Sequence, residues 1–140
     1  MPFAPDLARL GPDRWTAPFW AAAHEGRLVA PVCPACDGGR MPPTSHCPRC
    51  GAAEPPAWVT TSGRARVHSY TVAHQAFHPA LADHVPYVLA VVALEDRPDV
   101  RLATNLVDVS PDAVAIDDLV EVVFDRVDDE TTIPRFRPAR

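Results

Sequence analysis

Cys33-Pro-Ala-Cys36-Asp-Gly-Gly-Arg-Met-Pro-Pro-Thr-Ser-His-Cys47-Pro-Arg-Cys50-Gly51 decides how the chain folds, because its two C-x-x-C pairs hold all four cysteines of the 140 residues. Each pair turns two sulfurs toward one centre, and Zn²⁺ favours a tetrahedral shell of four thiolates at about 2.3 Å. Pro34 and Pro48 follow the first cysteine of each pair, and Gly38, Gly39 and Gly51 are expected to make the tight bends after the knuckles. Two disulfides or a redox C-x-x-C are the competing uses of such cysteines. They fit less well, because no secretory signal precedes the pairs and neither pair stands alone. A closed shell of four thiolates leaves no position for substrate, so the expected zinc is structural. In isolated zinc-binding peptides such a metal contributes roughly 10–16 kcal/mol of folding free energy.

On the N-terminal side, residues 1–11 carry two prolines and little amphipathic order, which suggests an extended arm. Residues 13–28 place Trp15, Phe19, Trp20, Ala22, Ala23 and Leu28 near helical spacing, with Pro18 tolerated in the first turn and Gly26 as the stop. Trp15, Phe19 and Trp20 form a large apolar surface on a short element. They either cap the rest of the fold or dock a partner. On the C-terminal side the pattern turns to β, with strands expected over residues 64–75, 86–94, 100–107, 119–127 and 131–136. Asp128-Asp129-Glu130 is the last hairpin turn, and Ser110-Pro111-Asp112 has the form of a helix N-cap followed by proline. The expected architecture is mainly β: an N-terminal arm and helix (1–28), a four-cysteine zinc ribbon (29–56), and a five-stranded OB-fold barrel (57–140) with a helical turn between its third and fourth strands.

Charge narrows the function. Residues 1–63 are neutral, 64–130 carry a net −8, and 131–140 carry +3, all of the basic residues being arginine. Such a barrel repels a polyanion, so the single-stranded nucleic-acid binding that OB barrels and zinc ribbons often perform is disfavoured. No apolar run reaches the roughly 18 residues of a membrane span, and a soluble protein of the reducing cytoplasm is expected.

Several stretches together resemble one family. They are Phe19-Trp20-Ala21-Ala22-Ala23, the ribbon from Cys33 to Cys50 with Pro42-Pro43 inside it, Val67-His68-Ser69-Tyr70-Thr71-Val72, and Val85-Pro86-Tyr87-Val88. Thr104-Asn105-Leu106-Val107 and Ile133-Pro134-Arg135-Phe136-Arg137-Pro138 complete the set. From Trp15 onward the chain is similar to the proteins of domain-of-unknown-function family 35 (DUF35). It departs at the turn entering the fourth strand, where the family often has glycine and this chain has Asp117-Asp118. The resemblance implies an accessory subunit in acyl-coenzyme A metabolism, paired as a hetero-oligomer with a thiolase-fold enzyme. That enzyme would be a thiolase, an acyltransferase, or a retro-aldol lyase that shortens steroid side chains. It further implies that the partner carries the chemistry, that the OB unit borders the coenzyme A channel, and that helix and ribbon dock the partner.

The residues offer no catalytic set of their own. His68, His74, His78 and His84 gather in and after the first barrel strand, but without carboxylate spacing they read as surface histidines sooner than as a second metal site. At strand period, His68 and His74 share a face with Tyr70. Phe77 and Leu81 in the long loop 74–86, with Tyr87 just after it, are candidates to flank an acyl or pantetheine chain, the alternative being that Phe77 covers the end of the barrel. Arg135 and Phe136 of the basic tail are candidates for the coenzyme A phosphates and the ligand face, since arginine holds phosphate bidentately. A stand-alone acyl-CoA hydratase or thioesterase is the remaining alternative.

Overall fold

The fold, taken from a computed structural model, is described for Leu7 and residues 11–140, so most of the expected arm lies outside the described residues. Helix α1 spans Ala17–His24, shorter than the pattern suggested, because Asp13 holds the chain before it in a separate turn. The Asp13 carboxylate accepts the amides of Trp15 (2.9 Å) and Thr16 (2.8 Å), which hold its pKa below the usual range, with Thr16 the stronger donor. Pro18 sits in the first turn as expected. At the other end Gly26 takes φ +77° and the Arg27 amide returns to the Ala22 carbonyl at 2.9 Å, which closes the helix.

Two short strands follow, β1 (Val29–Val32) and β2 (Ala57–Thr60), paired antiparallel with Val29 opposite Thr60. The knuckles lie on the long excursion between them, and the β1–β2 pairing joins residues on both sides of position 56. The barrel consists of β3 (Arg64–Ala73), β4 (Tyr87–Leu94), β5 (Arg101–Leu106), β6 (Leu119–Arg126) and β7 (Thr132–Pro138). Around the closed barrel the order is β3-β4-β5-β7-β6, with β6 returning to β3. β5 and β7 meet in parallel and the other neighbours are antiparallel, so this is the five-stranded Greek-key barrel of the OB-fold.

Alternation explains the core. Ala65 and Val67 of β3, then Val88, Ala90, Val92 and Leu94 of β4, point inward and are buried, as is Phe136 of β7. Phe19 of α1 and Val29 and Ala30 of β1 belong to the same apolar cluster, so helix and ribbon are packed onto the barrel through shared core.

Three local readings change. A bulge at His68 shifts the β3 register between Val67 and Ser69, and β3 ends at Ala73, so His68 and His74 do not share a strand face with Tyr70. The short helical turn expected after Ser110 forms as one turn of 3-10 helix, Pro111–Ala113, with proline in its first turn, but the Ser110 side chain does not cap it. Asp117, in the turn entering β6, takes φ +70°, a region that Asn and Asp tolerate better than other non-glycine residues. In the first knuckle the left-handed residue is Asp37 (φ +60°), with neither Gly38 nor Gly39 at positive φ.

Candidate functional site

The two knuckles are built alike. The Cys33 amide donates to the Gly38 carbonyl and the Asp37 amide to the Cys33 carbonyl, both at 2.8 Å. Fourteen residues on, Cys47 donates to Ala52 at 2.8 Å and Gly51 to Cys47 at 2.9 Å. Asp37 (φ +60°) and Gly51 (φ +77°) occupy the same place in each turn. Together the turns bring the four sulfurs within 4.8 Å of one another, with Cys33–Cys50 and Cys36–Cys47 both at 3.7 Å. A tetrahedron with metal–sulfur bonds of about 2.3 Å has edges of about 3.8 Å, whereas a disulfide needs about 2.05 Å. The donor set therefore fits Zn²⁺, and four protein thiolates fill its shell.

Electrostatics agree with a cation at the centre. The Cys50 and Arg49 amides favour the Cys47 thiolate and hold its pKa down at about 6. At Cys36 the Gly38 amide works in the same direction, but partial burial and the sulfurs of Cys47, Cys50 and Cys33 outweigh it and push the thiol up to about 11. Four ionised sulfurs at these distances repel one another, and a divalent ion removes that cost.

Two supports of this centre were not legible from spacing. Arg40 is 1% exposed, and its guanidinium donates to the Glu54 carbonyl at 2.7 Å and to the Thr44 carbonyl, bracing the two halves of the ribbon. Arg97, in the turn between β4 and β5, grips the Asp37 carboxylate with both Nη atoms (2.8 and 3.0 Å) and also reaches its carbonyl at 3.0 Å. That bridge lowers the Asp37 pKa and raises that of Arg97. From the same turn the Asp99 carboxylate accepts the Gly39 amide at 2.6 Å. A barrel hairpin thus clamps the first knuckle.

Above the ribbon, between α1, residues 41–43 and strands β4, β5 and β7, lies an apolar groove of about 500 Å³. Phe19, Trp20, Met41, Pro43 and Phe136 line it, and Thr16, Thr104 and Arg101 are its polar groups. The aromatic residues of the N-terminal segment divide. Phe19 is buried in the core, edge-on to Trp20 at 5.0 Å, while half-buried Trp20 faces the groove. Trp15 lies elsewhere, stacked under Arg14 at 4.6 Å in a shallow cleft with Pro55, Pro56 and Trp58.

The residues suggested for the ligand face are also scattered. Phe77 stands 76% exposed on its loop, Tyr87 is half-buried at the start of β4, and Phe136 is wholly buried. Arg135 is 7% exposed; its Nε donates to Asp125 at 2.7 Å and its Nη1 to Asn105 at 2.6 Å. A phosphate would have to displace that network to reach it. Of the histidines, His78 accepts the Ala80 amide at 3.1 Å and starts the single helical turn Pro79–Leu81, and the four do not converge on a ligand set among the described residues. Histidine–hydroxyl contacts include Ser45–His46 at 3.1 Å and His24–Thr132 at 3.3 Å.

Residues 20–56 match the family described as the rubredoxin-like zinc ribbon domain of ChsH2, and residues 58–125 match the ChsH2 C-terminal OB-fold domain. A DUF35 domain-containing scaffold protein of Methanothermobacter thermautotrophicus is 34% identical over 103 residues, which cover 74% of this chain and 75% of that one. The chain belongs to the DUF35 family. Its fold also matches, at a TM-score of 0.82 and 40% identity, a chain of the solved complex titled Ltp2-ChsH2(DUF35) aldolase, covering 94% of this chain and all of that one. A DUF35 structure from Sulfolobus solfataricus at 13% identity shares the fold, with a TM-score of 0.62. A probable enoyl-CoA hydratase alpha subunit of Thermomonospora curvata is 43% identical over 124 residues, but the chain spans only 37% of its length. No helix among the described residues is long and apolar enough to cross a membrane.

Proposed function

We propose that this DUF35 chain is a non-catalytic accessory subunit of a thiolase-fold acyl-CoA enzyme, a retro-aldol lyase first and a thiolase or acyltransferase second. The observation that carries the reading is the likeness, over the full length of the relative, to the ChsH2 chain of an Ltp2-ChsH2 aldolase. The zinc of the ribbon holds the knuckles and takes no part in chemistry, because its four sulfurs leave no open coordination position. Helix α1 and the ribbon face the partner, and the barrel borders the path of the acyl-CoA. Exposed Phe77 is the residue of the loop best placed to touch the pantetheine chain.

The hydratase name of the Thermomonospora relative does not favour a stand-alone enzyme, since the matched part is 37% of that protein. The test is turnover of an acyl-CoA panel by the purified chain, with and without a thiolase-fold enzyme from the same cells. Activity that requires the enzyme and rises with the chain supports the accessory role. Turnover by the chain alone overturns it. In the same assay Phe77→Ala is expected to lower turnover or acyl-CoA affinity with an unchanged Tm, since so exposed a side chain contributes little to stability. Equal loss of both would return Phe77 to a structural role.

A further inference from the structure

A barrel strand that meets water on its outer side should alternate apolar with polar residues. On β4 it does not: after Tyr87 the outward residues Leu89, Val91 and Ala93 are all apolar, and Leu89 is 42% exposed. Opposite Val91 on β5 stands exposed Ala103, and on β3 only the short side chains of Ser69 and Thr71 face Val91 and Leu89. Val91, Ala103 and Thr104 line both the groove beside Trp20 and a shallower hollow of about 430 Å³ beside Leu89 and Tyr70. Groove and sheet face are therefore one strip, running from α1 and the ribbon across three strands. With strands about 4.8 Å apart, the strip is roughly 15 Å or longer, enough for a short segment of another protein.

Charge says what that segment carries. Each other arginine between positions 64 and 137 has a carboxylate within ion-pair distance: Arg64 and Arg66 share Glu95, Arg97 has Asp37, Arg126 has Asp129, Arg135 has Asp125 and Arg137 has Glu121. Arg101 lines the groove, is exposed and has none among the described residues, in a stretch whose net charge is −8.

We propose that this strip is the seat of the partner enzyme, which lays an apolar segment across Trp20, Val91, Ala103 and Leu89 and sets an aspartate or glutamate against Arg101. The proposal rests on the accessory reading and gives it a surface. The acidic surroundings disfavour nucleic acid on the same face, and a continuous open strip offers a short acyl chain no closed end. An apolar centre with a charge at its rim is the usual anatomy of a protein interface.

The test uses the full zinc-loaded chain and an Ltp2-type subunit from the same cells, with affinity measured by biolayer interferometry. Leu89→Glu, Ala103→Glu and Arg101→Glu all change exposed side chains, and unchanged Tm and zinc content establish that each variant is folded. We expect each to weaken binding at least tenfold, Arg101→Lys to retain most of it, and Arg126→Glu, which pairs in the open with Asp129 and lines neither hollow, to leave it unchanged. Binding by wild type should also fall more steeply with salt than binding by Arg101→Ala. If the three glutamate variants bind as well as wild type, the strip is not the seat and the accessory reading stands. If wild type binds no Ltp2-type subunit, both fail.

Discussion

Asp37 is the residue where the ribbon departs most from a generic knuckle. It adopts the left-handed conformation that glycine provides at position 51, and Arg97 fastens it there from the barrel. We expect Arg97→Ala to speed zinc transfer to a chromogenic chelator while the zinc stoichiometry at rest stays at one; an unchanged transfer rate would mean that the clamp does not reach the metal. The bridge depresses the Asp37 pKa, so its contribution is complete above the ordinary carboxylate value and is lost as pH falls through the lower folded value. The thiolates yield earlier on acidification. Zinc binds the ionised sulfurs, so acidification is expected to release it, with Cys36, pushed up to about 11, taking its proton before Cys47, held at about 6. A zinc content that does not fall on acidification would contradict thiolate ligation. The cysteine ligands were legible because a C-x-x-C turn is a local object. Arg40 and Arg97 were not, because each acts through carbonyls or carboxylates brought close only by the fold.

Arg135 illustrates the same limit from the other direction. A basic tail suggested solvated charge or a phosphate ligand, and the fold instead pairs Arg135 with Asp125 and Asn105 out of water. Removing one member of such a pair leaves the other buried and uncompensated, so Arg135→Ala should cost about 3 kcal/mol in urea unfolding. Arg137→Ala, whose partner Glu121 is partly solvated, should cost under about 1 kcal/mol. Similar small losses for both would remove the buried network as a stabilising feature.

Elements were read well where periodicity is strong. The five barrel strands fall within a few residues of the alternating stretches, and the turn at Asp128 forms as expected, its carboxylate accepting the Glu130 and Thr131 amides at 2.8 and 2.6 Å. The bulge at His68 was invisible, since one inserted residue leaves no mark in composition. Helix α1 was overlong in the sequence because Asp13 competes locally for the amides that would have begun it. The two aromatic residues of this helix facing its packing surface separate its roles. Phe19→Ala empties a buried site and should cost about 3 kcal/mol. Trp20→Ala, half-buried at the groove, should cost less and impair partner binding more. Both can be read by thermal unfolding beside the binding assay, and the reverse order of effects would place the interface elsewhere.

Across the whole molecule, the ribbon has three anchorages: the metal that its cysteines hold, a share of the barrel core through Val29 and Ala30, and the clamp of Arg97 and Asp99 on its first knuckle. Stripping zinc with a mercurial is therefore expected to release hydrogen-exchange protection first across residues 33–52 and in the clamping turn 96–100, while β3 to β7 keep theirs. Loss of protection everywhere at once would mean that zinc holds the barrel as well. The partner was the part least readable from residues alone: Trp15, Phe19 and Trp20 looked like one aromatic patch, and folding sends them to three different settings. The outward apolar face of β4 was present in the sequence as a nearly continuous apolar run, but only the barrel decides which alternate residues meet water.

The most direct test of the accessory role is native mass spectrometry of the tagged, zinc-loaded chain co-expressed with the thiolase-fold acyl-CoA enzyme of its own cells. The expected result is a stoichiometric hetero-oligomer containing both proteins, with acyl-CoA turnover that disappears when the DUF35 chain is withheld. A chain that remains alone beside a fully active enzyme would contradict it.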